Sequence, residues 1–143
     1  MTNTFHVTIQ SQLMRHEALR LKPYRCTADK LTIGVGRNIE DVGISKDEAL
    51  YLLDNDIAAC IADLRTFPWF TRLDAVRQRA LVDMRFQFGP SRFRGFRKML
   101  AALESGDYRT AAAEARDSKW ARSDSPARAR TVTAMIETGK EPV

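Results

Sequence analysis

Only one stretch of this 143-residue chain alternates with period two, and that limits its fold more than any other feature. In "YRCTADKLTIGVG", residues 24–36, Leu31, Ile33 and Val35 fall on one face of a strand while Thr32, Gly34 and Gly36 fall on the other. Ala28-Asp29-Lys30 supplies the turn that makes the stretch a hairpin. Everything long elsewhere repeats near 3.6 residues. Ile9, Leu13 and Glu17 stand one turn apart, so residues 8 to about 20 read as a first helix that Lys22-Pro23 ends. Ser45 and Glu48 form a capping box that opens a helix with the stripe Ala49, Leu52, Leu53, Ile57, Cys60, Ile61 and Leu64, broken near Pro68. Leu73 to Met84 mark a long helix ending near Gly89-Pro90. Phe93, Phe96, Leu100 and Leu103 mark another, stopping around Gly106. Asp107 caps an alanine-rich helix through Ala115, and Ser125-Pro126 opens a last one that closes at Gly139. The expected fold class is α+β and mainly helical, with a small β lobe at about 21–44 beside a larger helical lobe. The chain has no stretch that reads as a linker, so 1–143 is expected to be a single domain.

Charge is unevenly spread. Residues 1–72 carry nine Lys/Arg and nine Asp/Glu, while residues 73–143 carry fourteen and nine, so the net charge of +5 belongs to the C-terminal half. That half is suited to polyanions, among them nucleic acid, acidic lipid headgroups and cell-wall polymers. Cys26 and Cys60 are too few for a disulfide framework and, with His6 and His16, lack metal-ligand spacing, so neither a metal nor a cofactor is expected. "MTNTFHVTIQSQLM" lacks the basic start and continuous apolar core of a signal peptide, and no apolar run approaches the roughly 18 residues of a membrane span. Synthesis in the cytoplasm is the expectation.

Three residues near the hairpin carry candidate chemistry, each beside a plainer reading. Glu17, on the edge of an apolar stripe, is expected to be partly desolvated. Desolvation raises a carboxyl pKa and keeps a proton ready for general-acid work. A solvated glutamate at a helix end fits the same sequence. Cys26 has the polar neighbours Arg25, Thr27 and Asp29, unlike Cys60, which sits in a helical stripe as a small hydrophobe does. Thr32 by itself is an ordinary strand residue. "SRFRGFRK", residues 91–98, interleaves basic and aromatic residues as nucleic-acid binders do, but its aromatics fall at helical spacing and read better as core. Trp120 with Pro126 and Arg128 fits a packing corner or the wall of a groove.

Taken together, "HEALRLKPY", "KLTIGVG", "LDAVRQRALVDMRFQFG" and "DSKWARSDSPARARTV" resemble the phage-type lysozymes, the endolysin muramidases of glycoside hydrolase family 24. The resemblance is nearly chain-wide. It implies a lysozyme-like fold with a cleft between the lobes. It also implies hydrolysis of the β-1,4 bond between N-acetylmuramic acid and N-acetylglucosamine in bacterial peptidoglycan, leading to host-cell lysis. It puts Glu17 at the catalytic glutamate and Thr32 at the catalytic threonine. Gly36, Arg37, Phe86, Lys119 and Arg128 fall on the substrate side, with Arg128 oriented toward the glutamate. A monomer is implied, without specific nucleic-acid binding, waiting in the host cytoplasm for a holin-type membrane permeabilisation.

The chain departs from the family at telling places. Cys26 stands where most relatives have aspartate, Arg37 where many have histidine, "RNIEDVGIS" is short, and one extra residue lies between Trp120 and Pro126. The family mechanism is inverting: the acid protonates the leaving oxygen while the second group helps water attack the opposite face. An ordinary thiol with pKa near 8.5 is only about 3% ionised at pH 7, a cost of roughly 2 kcal/mol or about thirtyfold in rate. Slower catalysis fits that figure, and so does a covalent glycosyl-cysteine with net retention. A peptidoglycan-binding module that has lost hydrolysis, a lytic transglycosylase and a nucleic-acid-binding helical protein are the rival readings.

Overall fold

The computed structural model describes residues 3–142. The chain divides into two compact units, Met1–Tyr51 and Leu52–Val143.

The first unit opens with α1, Thr4–Glu17. It starts earlier than its apolar repeat indicates because Asn3 caps it: the Phe5 amide donates to Asn3 Oδ1 at 2.8 Å. It stops at Glu17, well before Pro23, because Ala18 takes a positive φ of 60° and turns the chain away. Three antiparallel strands follow in the order β1 (Arg20–Arg25), β2 (Leu31–Gly34) and β3 (Arg37–Asn38). Pro23 therefore lies inside β1, and the register shifts between Arg20 and Tyr24, where a residue without an N–H cannot join the ladder. Beyond that shift Tyr24 pairs with Thr32 and Arg25 with Leu31. The turn falls where the sequence put it, with the Cys26 amide donating to Lys30 O at 3.0 Å and Asp29 at φ 58°.

The third strand has no sequence signal, because two residues are too few for an alternation to show. It also changes the reading of the glycines. Gly34 ends β2 at φ 73° and Gly36 lies in the following turn at φ 67°, so both are needed for left-handed backbone. They do not form a bare strand face. The Ser45–Glu48 capping box is present, with reciprocal bonds of 2.8 and 3.1 Å, and opens α2, Lys46–Leu64.

In the second unit a short 3₁₀ turn, Phe70–Arg72, leads into α3, Ala75–Phe93, capped by Asp74 through the Arg77 amide at 3.1 Å. The expected break at Gly89-Pro90 is present in the backbone: Gly89 sits at φ 78°, ψ 174° inside the α3 span. Then come α4 (Arg97–Glu104), α5 (Tyr108–Arg116) and α6 (Pro126–Thr138). Asp107 caps α5 through the Thr110 amide, and Gly139 ends α6 in the left-handed region. Leu64, Leu81, Met84, Phe93, Leu103 and Ile136 fill the core. Ala111, Ala112 and Ala115 are fully buried, small enough for α5 to lie close to its neighbours.

Phe93 and the half-buried Phe96 belong to this core, as the helical spacing of "SRFRGFRK" indicated. Arg94 is held by Asp63, which accepts from Arg94 Nη2 at 2.7 Å and Nη1 at 2.9 Å and from Arg85 Nε at 2.6 Å. The Arg94 bonds, helped by Arg85, pull the Asp63 carboxyl down from 3.8 to about 2. Arg77 covers the end of α6, donating to Ile136 O at 2.6 Å and Glu137 O at 2.9 Å. No helix among the described residues is long and apolar enough to cross a membrane.

Candidate active site

The sequence candidates divide between the two units, with Glu17, Cys26, Thr32, Gly36 and Arg37 in the first and Phe86, Lys119 and Arg128 in the second.

In the first unit Glu17 ends α1, and its carboxylate rests on the backbone of the β2–β3 turn. A β-carbon placed on Gly36 would lie 2.7 Å from Glu17 Oε2, closer than real side chains approach, and Gly36 also has the positive φ that other residues resist. Gly36 thus has two separate reasons to be glycine, and one of them is the glutamate. Glu17 itself is exposed, so the partial desolvation expected from the apolar stripe is absent, and α1 buries no residue.

Cys26 is half-buried at the mouth of the hairpin turn. Backbone hydrogen bonding from Lys30, then the Thr32 side chain and the Ala28 backbone, lowers its thiol pKa. Donors gathered by a tight turn favour the charged sulfur over the neutral one. Cys60 is the opposite case, with burial pushing its thiol up. Thr32 is only 3% exposed, and its hydroxyl donates to Lys30 O at 2.8 Å. One proton cannot serve two acceptors, so a bond to an ionised Cys26 requires Thr32 to release that carbonyl. Arg37 is committed within the unit. It forms a two-pronged pair with Glu48, Nη1 to Oε1 at 3.1 Å and Nη2 to Oε2 at 2.7 Å, and reaches Gly43 O at 3.3 Å. Glu48 is held below the usual carboxylate range first by the Ser45 backbone and hydroxyl, then by Arg37.

In the second unit Phe86 is 45% exposed on α3, a large aromatic face left in solvent. Lys119 is exposed and lies 3.8 Å from Asp124. Trp120 is buried in a packing corner, edge-on to Phe88 and Phe96. Its Nε1 donates to Gln87 Oε1 at 3.1 Å, and Gln87 Nε2 donates to Ser125 Oγ at 3.0 Å. Residues Trp120–Asp124, just before Pro126, form a π-helical turn closed by the Ser125 amide donating to Trp120 O at 2.9 Å. Arg128 lies on α6 and is engaged by Asp83 of α3, Nε to Oδ1 at 2.7 Å. Sequence reasoning missed Asp83 and Gln87. The available signal was position: Asp83 is one turn before Phe86 and therefore shares its helix face. Among the described residues no cluster of three or more His, Cys, Asp or Glu is arranged to hold a metal ion.

Known proteins are similar in sequence over most of the chain. The phage lysozyme family model matches residues 14–135. The pre-baseplate central spike protein Gp5 of Enterobacteria phage T4 is 31% identical over 163 aligned residues, covering 94% of this chain and 28% of the spike protein. The chain therefore spans little more than a quarter of that relative's length. Probable T4-type lysozyme 1 of Dictyostelium discoideum is 25% identical, covering 92% of this chain and 95% of its own length. The endolysin of Acyrthosiphon pisum secondary endosymbiont phage 1 is 36% identical over 106 residues, covering 71% of this chain and 70% of its own. Since the family match takes in the Glu17 end of α1, the sheet and nearly all of the helical unit, the chain belongs to the phage lysozyme family and is a glycoside hydrolase of that kind.

Proposed function

We propose that this chain cleaves the β-1,4 bond between N-acetylmuramic acid and N-acetylglucosamine, with Glu17 as general acid, Cys26 in the place of the usual aspartate and Thr32 assisting. The observation that carries the reading is the Glu17 carboxylate lodged against Gly36, in the same compact unit as a cysteine whose thiol is lowered. Glu17 gives its proton to the leaving oxygen. Water attacks the anomeric carbon from the other face, and the Cys26 thiolate takes the water's proton. Exchange with solvent then returns both groups to their starting states. A lowered thiol pKa raises the ionised fraction above the roughly 3% of an ordinary cysteine at pH 7, which shortens the kinetic handicap of sulfur against carboxylate. Action as a monomer, with access to the wall through a membrane-permeabilising partner, belongs to the same reading.

The test is a turbidity and reducing-end assay on purified cell walls. Wild type releases reducing ends and Glu17→Gln does not. Cys26→Ala is slowed strongly, and Cys26→Asp equals or exceeds wild type. An active Glu17→Gln protein overturns the assignment. NMR of the first-formed anomer then separates inversion, giving α product from the β-linked chain, from retention through a glycosyl-cysteine. Mass spectrometry detects the anhydro ends of lytic transglycosylation. A binding module without hydrolysis gains support from one observation: Thr32 is buried and gives its proton to Lys30 O, so that proton is not offered to a water. That module pulls down peptidoglycan and releases no reducing ends.

A further inference from the structure

Cys26 sits in a hairpin that is braced from outside. Its turn is closed by the Cys26 amide donating to Lys30 O at 3.0 Å and the Asp29 amide donating to Cys26 O at 2.8 Å, with Asp29 at a left-handed φ of 58°. A two-stranded ribbon alone is marginal in water. The third strand gives it little, because β3 pairs with Thr32 and Ile33 and stops short of Leu31. Glu40 takes over at that point. Its amide donates to Leu31 O at 3.3 Å and its carboxylate accepts from Leu31 N at 3.3 Å, so one residue serves both backbone groups of Leu31. The same oxygen, Oε1, accepts from Arg25 Nη1 at 3.4 Å, and that nitrogen also donates to Asp29 O at 3.2 Å in the turn. The other oxygen, Oε2, lies 3.5 Å from Lys30 Nζ. Arg25 and Leu31 are cross-strand partners, so a single carboxylate grips both arms of the hairpin immediately outside Cys26. These contacts are long and partly solvated and add little to global stability. Their effect is local. The influences that lower the Cys26 thiol are hydrogen bonds from the Lys30 backbone, the Thr32 side chain and the Ala28 backbone, all within the hairpin, and no neighbouring charge is among them. Such donors act only while the turn keeps them within reach.

We propose that Glu40 is a positioning residue for Cys26: by bridging Arg25 and Leu31 it keeps the turn closed around the sulfur. Glu40 contacts no reacting atom. It works by the reach of Oε1, which holds both arms, and its charge is incidental. The inference rests on the muramidase reading for the use to which the sulfur is put, and on the hairpin's own geometry for the rest.

The test uses substitutions that separate reach from charge. Glu40→Gln keeps an acceptor in the place of Oε1 and removes the charge. Glu40→Asp keeps the charge and withdraws it by the length of a methylene. Glu40→Ala removes both. The readout is the pH midpoint of Cys26 alkylation by iodoacetamide, followed by peptide mapping, since a midpoint reports ionisation of the thiol and not access to it. Glu40→Asp and Glu40→Ala raise the midpoint by about half a unit, as loss of a donor from a thiolate does, while Glu40→Gln stays within about 0.2 unit of wild type. Melting temperatures stay close to wild type throughout. Should Glu40→Ala nevertheless fail to fold, Glu40→Asp and Glu40→Gln decide the question between them. A midpoint that follows charge, with Glu40→Asp like wild type and Glu40→Gln like Glu40→Ala, overturns the proposal. A midpoint unchanged in every variant overturns it too. Reducing-end release at pH 7 is then measured on the same proteins: kcat falls about threefold in Glu40→Asp and Glu40→Ala, in proportion to the thiolate lost, with KM unchanged and the rate kept in Glu40→Gln. The two readings fail separately. Shifted midpoints without hydrolysis in any of the proteins sink the muramidase assignment and leave the role of Glu40 standing, while wild-type midpoints sink Glu40 in an active enzyme and an inactive one alike.

Discussion

Two arginines of the helical unit converge on Asp63, and removing its charge has a calculable consequence. Its side chain is only 20% exposed, so the pair energies are screened less than those of surface ion pairs. The carboxyl is drawn from 3.8 to about 2, chiefly by its bonds from Arg94 and then from Arg85. At 1.36 kcal/mol per pKa unit that gap is about 2.4 kcal/mol favouring the folded state wherever Asp63 is ionised in both states. The folded pKa is the depressed one. The stabilisation is therefore complete above the unfolded value near 3.8 and disappears as pH falls through about 2. Asp63→Asn leaves Arg85 and Arg94 facing each other with one neutral acceptor, so the expected loss at pH 7 is about 2–4 kcal/mol. At pH 2 Asp63 is about half protonated in the folded state, and the difference shrinks to a few tenths of a kcal/mol, roughly a sixth of its value at pH 7. Urea unfolding of both proteins at half-unit intervals from pH 7 to pH 2 measures this directly. Glu48, Asp74 and Asp107 are also lowered, but they titrate in both proteins and cancel in the difference. A difference below about 1 kcal/mol at pH 7, or one that stays constant down to pH 2, refutes the reasoning.

Three further outcomes concern Gly36, the two cysteines and Arg37. Gly36→Ala forces a β-carbon to within 2.7 Å of Glu17 Oε2 at a φ of 67°, so wall-lysis activity falls at least about tenfold, with a stability loss of about 1–2 kcal/mol by denaturant titration. Iodoacetamide labels Cys26 with a pH midpoint below that of a free thiol, and Cys60 resists until the protein unfolds, as peptide mapping of a pH series reports. Arg37→Leu removes both prongs to Glu48 together with the bond to Gly43 O; hydrogen exchange at the start of α2 then accelerates, while amides of the α5–α6 core keep their protection. Equal exchange at the start of α2 in both proteins contradicts that linkage.

Much of the helical unit was legible because its devices are local. Asp107 and Gly139 act on backbone groups within a few residues, and each performs the capping job its position advertises. The Ser45–Glu48 box is local too, and so is the hairpin turn at Cys26–Lys30. The misreadings have equally physical causes. Pro23 looked like a helix terminator, yet Ala18 had already turned the chain and β1 absorbed the proline through a register shift. Ser125 looked like a cap for α6, yet its hydroxyl went to Gln87, 38 residues away. Gly34 and Gly36 looked like residues of one strand face and instead take left-handed backbone at the end of β2 and in the turn after it.

What the amino-acid order determined alone is therefore the helical repeat, the caps, the hairpin and the identities at Glu17, Cys26 and Thr32. Those follow from steric rules and hydrogen bonds spanning one turn of chain. Only the folded molecule decided that Asp63 binds two arginines, that Arg37 closes on Glu48, that Gly36 makes room for a carboxylate and that Asp83 holds Arg128. Each of those pairings joins residues 11 to 45 positions apart. A charge's partner at such a separation depends on where the backbone carries it, and no local preference records that.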